Sequence, residues 1–211
     1  MSLFKDDSII QKQRLENLCD GIFAVTMTIM ILELKTPENI PQNLEEQKLA
    51  EALLSLWPVA EAYVISFIVL GIFWLRHQVQ FKYLKSVNMQ ILTINIFFLL
   101  LTGLVPFSVE MMKRYPDDNL PFMIYDINLL VISILLFLQW YYISRNDNII
   151  IDNVLPEMRK KLLFLSFVPI IIFTVSLGIS FYNTRIAFLF VYVLPVFYLV
   201  YSKLRKTTSS H

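Results

Sequence analysis

The sequence predicts an all-α membrane protein with six transmembrane helices, organised as a single domain over residues 1–211. Three observations predict it. Hydrophobic residues make up 56% of the chain and the mean hydropathy is +0.59, well above a soluble domain. Six apolar runs, at about 17–35, 52–76, 89–112, 121–143, 162–182 and 185–203, are each long enough to cross a hydrocarbon layer. The charges fall between these runs, in short polar joints.

Charge placement also predicts an orientation. With the N-terminus in the cytosol, the cytosolic segments hold thirteen Lys and Arg, including Arg76, Lys82 and Lys85, and the opposite side holds five. The positive-inside rule then places both termini in the cytosol of a multi-pass cell-membrane protein. A net charge of +1 spread over the joints gives no basic patch for nucleic acid. The single cysteine, Cys19, has no intrachain disulfide partner, and one Cys with two His gives no zinc framework. No metal site or cofactor is expected, and no removable signal peptide is visible at the N-terminus. An enzyme is not expected either, because neither His-Glu-x-x-His nor Gly-x-Ser-x-Gly occurs.

The first apolar run, RLENLCDGIFAVTMTIMILEL over residues 14–34, organises the reading. Asp20 lies just inside it, and an acid there is costly unless polar groups from the same subunit receive it. At 100° per residue, Leu18, Gly21, Ile22, Val25, Thr28, Ile29 and Leu32 share one face while Asp20 points away from it. One face is therefore free to pack around an axis. The other needs polar neighbours.

The joint at 36–47 contains Pro37 and Pro41, and the second helix is expected to begin within 43–49. Pro58 then kinks it or marks its entry into the membrane, and Glu61 is expected in water near the outer interface. Trp74, Arg76 and His77 close the run as a boundary group. Helix 3 brings Asn88 and Asn95, amides that need interhelical partners, and Pro106 further on. Shared depth predicts one polar cluster, Arg14, Asp20, Trp74, His77, Asn88 and Asn95, pinning helix 1 to helices 2 and 3. Trp140-Tyr141-Tyr142 at the end of helix 4 reads as an interfacial belt. Helices 5 and 6, nearly uniform in apolar residues around Pro169 and Pro195, read as lipid-facing scaffold.

Arg14, Leu18-Cys19-Asp20-Gly21, Ala24-Val25, Thr28 and Leu32-Glu33, followed by Trp74-x-x-His77, Asn88, Asn95 and Pro106-Phe107, resemble the pattern of the transmembrane protein 175 family of potassium channels. That family's first helix centres on Phe-Ser-Asp, and this chain carries Leu18-Cys19 before its aspartate. The resemblance implies a homotetramer in a lipid bilayer, with helix 1 of each copy around a central pore and potassium ions as the permeant partner. It also implies a first constriction at Val25, further rings at Ile29 and Leu32, and a selectivity hydroxyl at Thr28. No TVGYG filter occurs in the chain. Apolar rings near one water diameter gate by dewetting, and potassium sheds its water more readily than sodium.

The same residues have plainer readings. A Val, Ile and Leu stripe on a membrane helix is ordinarily a packing or lipid face, and a threonine ordinarily bonds back to the carbonyl four residues earlier. A secondary transporter or proton-coupled permease would instead use Asp20 and His77 as a relay. It would normally show paired broken helices or repeats, which the sequence lacks. A structural or sensor role stays open at this point.

Overall fold

The computed structural model describes residues 12–33, 51, 54, 56–152 and 154–208. The joint at 36–47 and the expected helix start within 43–49 lie outside these residues. Among the described residues, six helical spans are long and apolar enough to cross a membrane, from Lys12–Leu32 to Thr184–Lys203. The helices are α1 (Lys12–Ile29), continued by a 3-10 turn (Met30–Glu33), α2 (Trp57–Lys82), α3 (Met89–Arg114), α4 (Asn119–Arg145), α5 (Pro156–Ser180), α6 (Thr184–Val191) and α7 (Val193–Thr208). They run up and down. The starts of α1, α3 and α5 and the ends of α2, α4 and α7 therefore share one end of the bundle, called the near end below.

Local chemistry sets several boundaries. α2 begins at Trp57 with Pro58 in its first turn, where a missing N–H costs nothing; Glu51 and Leu54, ahead of it, are also helical. Asn88 caps α3, its side-chain oxygen accepting from Ile91 N at 3.1 Å, and Asn183 caps α6 through Ile186 N at 3.0 Å. The sixth span is broken at Tyr192 into α6 and α7. Pro195 explains the break: it has no N–H for the Val191 carbonyl and its ring crowds that oxygen. Pro169 stays inside α5, and the Leu165 carbonyl it frees accepts a hydrogen bond from the Tyr198 hydroxyl of α7 at 2.6 Å. A neighbouring helix thus satisfies what the proline removed.

In a bilayer, lipid tails are as apolar as the helices, so association rests on close packing and interhelical polar bonds. The packing centres on α4, which lies against both α3 and α5. Phe23, Phe73, Phe98, Tyr125, Leu129 and Phe173 form the main core, and Leu15, Phe81, Leu84, Trp140 and Ile150 a second one at the near end. Polar bonds join the same helices: Ser66 to Tyr125 at 2.9 Å, Gln80 Nε2 to the Leu136 carbonyl at 2.9 Å, and Asn128 Nδ2 to the Leu101 carbonyl at 3.2 Å. At the near end the α2–α3 and α4–α5 joints pair as a short antiparallel bridge between Leu84 and Ile150.

Several expectations change. α2 continues through Trp74, Arg76 and His77 to Lys82, so these residues lie within the helix and not at its boundary, and Arg76 and His77 are buried. Trp140 is no interfacial anchor: it is fully buried and donates Nε1 to the Arg159 carbonyl at 3.1 Å. Glu61 accepts a hydrogen bond from the Tyr192 hydroxyl at 2.9 Å instead of standing in water alone.

Candidate functional site

The site is built on α1, and its helical period divides the residues around Asp20 between two faces. Leu15, Cys19, Phe23, Thr26 and Met30 are buried against the bundle. Val25 is 56% exposed, Ile29 43%, Leu32 64% and Leu18 49%. Thr28 stands exposed beside them, its hydroxyl donating within reach of the Ala24 carbonyl at 2.8 Å and the Val25 carbonyl at 2.9 Å. The hydroxyl proton is thus held by the helix itself, and the oxygen lone pairs are left facing outward.

Asp20 meets α2. Its Oδ1 accepts from Trp74 Nε1 at 2.8 Å and from Gln78 Nε2 at 2.5 Å. Trp74 and Gln78 are four residues apart and so lie on one stripe of α2. Two charge-assisted bonds to one carboxylate oxygen fix the rotation of α1 about its axis. Gln78 was missed in the sequence because a glutamine at a helix end is ordinary; its spacing from Trp74 was the available signal.

One residue earlier the helix turns inward. Cys19 lies against His77 of α2 and Asn95 of α3: Asn95 Nδ2 donates to Cys19 Sγ at 3.2 Å, and His77 Nε2 lies 3.1 Å from Asn95 Oδ1 and 3.7 Å from Cys19 Sγ. With the ring hydrogen on Nε2, Asn95 accepts from His77 and donates to the sulfur. The His77 ring lies stacked against Phe81 at 4.2 Å and Phe98 at 5.3 Å between centroids. The cysteine that stands where the resembling family carries serine therefore joins three helices in a buried polar knot.

The expected single cluster is two separate groups. Asp20 with Trp74 faces one way, and His77 with Asn95 the other, with no hydrogen bond between Asp20 and His77. Asn88 belongs to neither. Its oxygen is spent on capping α3 and its amide donates to the Tyr142 hydroxyl at 2.8 Å. Arg14 is exposed one turn and a half before Asp20 and joins no hydrogen bond among the described residues. A residue two turns from the end of a helix and one at its cap differ in azimuth as well as depth, which linear spacing does not convey.

Beside the exposed face of α1 runs an open groove of about 540 Å³, lined by Asn17, Leu18, Gly21, Val25 and Ile29 and floored on α3 by Gly103 and Pro106. Both glycines have open space where a Cβ would stand. No group of three or more metal-ligating side chains occurs among the described residues.

A bundle of six membrane-crossing helices, with its first helix tied down from behind and bare in front, defines a polytopic α-helical membrane protein. A family model described as the endosomal/lysosomal potassium channel TMEM175 matches residues 14–106, which hold most of α1, all of α2, most of α3 and both polar groups. A potassium channel of Chryseobacterium sp. (strain P1-3) is 30% identical over 197 residues, 91% of this chain and 94% of that one. A potassium channel of Streptomyces collinus is 27% identical over 140 residues, 64% of this chain and 66% of that one. The crystal structure of a lysosomal potassium-selective channel TMEM175 homolog from Chamaesiphon minutus matches the fold with a TM-score of 0.78 at 23% identity, covering 90% of this chain and 97% of that chain. The chain belongs to the TMEM175 family.

Proposed function

We propose that the chain forms a potassium-permeable cation channel, with four copies arranged so that α1 of each lines a central pathway. Val25, Ile29 and Leu32 form its apolar rings and Thr28 supplies the oxygen that favours potassium. The single observation that carries this reading is the bare stripe on α1. A helix whose other face is locked by Asp20 and by the Cys19–His77–Asn95 group keeps that stripe in one fixed direction. Cyclic symmetry brings identical stripes together around one line.

Family membership and the names of the relatives support potassium as the permeant ion. The groove between α1 and α3 supports a second copy as the neighbour, because glycine on both of its walls lets another helix come close. The orientation with both termini in the cytosol keeps its support from the basic joints, although Arg76 leaves that tally by lying within α2.

The mechanism follows from the side chains. Branched alkyl groups offer water no hydrogen bonds, so a bore of one or two water diameters empties and closes without a plug. A small rotation that withdraws Val25 and Ile29 from the axis refills it. Trp74 and Gln78 hold the helix by one carboxylate and are placed to limit such a rotation.

Val25→Asn and Ile29→Asn test the pathway in planar bilayers. Each places amides in the ring and is expected to raise open probability or unitary conductance severalfold. Currents identical to wild type at both positions would remove these side chains from the pathway.

A further inference from the structure

Arg76 is a charge that the candidate pathway does not use. It points from α2 away from α1, toward α5 and α7, and is 7% exposed. Its position six residues before the end of α2 puts it about 9 Å inside the helix end. Nη2 donates to the Leu162 carbonyl at 3.2 Å and the Ser166 hydroxyl at 3.3 Å, both neutral acceptors. Nε is buried and has no acceptor among the described residues. The guanidinium lies 5.8 Å from the centre of the Tyr198 ring, and Lys161 Nζ lies 5.5 Å from that of Tyr201, one turn further along α7.

Two cations thus lie at the seam between α5 and α7, and no carboxylate among the described residues pairs with either. Among the described residues, the acids at this end are engaged elsewhere: Asp147 with Arg159 at 2.8 Å, Asp152 with Lys85 at 3.3 Å and Glu16 with Lys12 at 3.8 Å. Glu157, four residues before Lys161, is exposed and forms no ion pair with it. A buried charge without a counter-charge is strongly unfavourable in a low-dielectric medium. The surrounding solvent at this depth is lipid, and its only abundant anion is the phosphodiester at the edge of the hydrocarbon.

We propose that the seam between α5 and α7 binds the phosphate of an anionic phospholipid, with Arg76 at its base, Lys161 at its rim, and Tyr198 and Tyr201 beside them. Phosphate oxygens supply acceptors to the guanidinium in the fork geometry that arginine favours. The second cation repels a headgroup that carries its own ammonium, so the site selects a lipid of net negative charge. The inference is independent of ion conduction. It concerns the outer side of the bundle, across α2 from α1.

Native mass spectrometry of the full chain, released from detergent with phosphatidylglycerol or phosphatidylcholine of identical acyl chains, tests it. Wild type is expected to retain phosphatidylglycerol roughly five-fold over phosphatidylcholine, Arg76→Gln to lose that preference, and Lys161→Gln to reduce it. Gln keeps a donor for Leu162 and Ser166, and Lys161→Gln at the rim carries the test if the buried variant does not fold. Equal retention of both lipids by wild type overturns the site, as does an undiminished preference in the variants. Inorganic phosphate is expected to leave the bound lipid in place, and its displacement of the lipid overturns the lipid assignment.

Discussion

At the scale of single residues, two adjacent positions on α1 do opposite work. Asp20 receives Trp74 and Gln78 from α2 at the edge of the bundle, and Cys19 closes a buried triangle with His77 and Asn95. Asn95 is the member that both donates and accepts. Asn95→Leu leaves the His77 ring N–H without an acceptor inside the membrane, a loss of about 1–3 kcal/mol. The expected outcome is a melting temperature several degrees below wild type in detergent, with weaker assembly. An unchanged melting temperature would show that the triangle does not hold α1. The importance of Asp20, Trp74, His77 and Asn95 was legible because polar side chains in an apolar run are costly. Their division into two groups was not, since depth can be counted along a chain while azimuth across three helices depends on how those helices pack. Arg76 was misplaced for a related reason: tryptophan followed by arginine reads as a membrane boundary, and only the continuation of α2 to Lys82 shows the guanidinium turned inward.

At the scale of elements, α1 carries the functional reading and α7 the clearest departure from expectation. The α1 period placed Val25, Thr28, Ile29 and Leu32 on one face, and that face is exposed. Periodicity could specify the stripe but not its environment, because lipid and a central lumen both accept Val and Leu. Thr28 distinguishes them. Its oxygen faces outward while its proton is held by Ala24 or Val25, so in the proposed pathway an ion passing that face would register its loss. Thr28→Ala is expected to shift the bi-ionic reversal potential toward sodium, reducing the potassium preference severalfold with little effect on stability. An unchanged reversal potential would take Thr28 out of the selectivity mechanism. In the last span, Pro195 was visible and its tolerance in membrane helices anticipated. The division into α6 and α7 follows from the N–H that Pro195 lacks and from its ring crowding the Val191 carbonyl, a consequence that a hydropathy window does not register.

At the scale of the whole molecule, the six spans were legible from hydropathy alone, since twenty apolar residues have few alternatives to crossing a bilayer. Assembly was less so. Nothing in a single chain's hydropathy separates a face that meets lipid from one that meets another copy, and the resemblance in the first three helices is what the proposed inward placement of α1 rests on. In the proposed arrangement the groove of about 540 Å³ beside α1 is where the next subunit lies, and α5 and α7 stand at the periphery with Arg76 buried behind them. Electron cryo-microscopy of the purified protein in lipid nanodiscs tests the arrangement most directly. The expected map has four copies around one axis, with Val25 and Ile29 of every α1 turned toward a narrow central lumen. A map with α1 against lipid, or with no lumen on the symmetry axis, would contradict it.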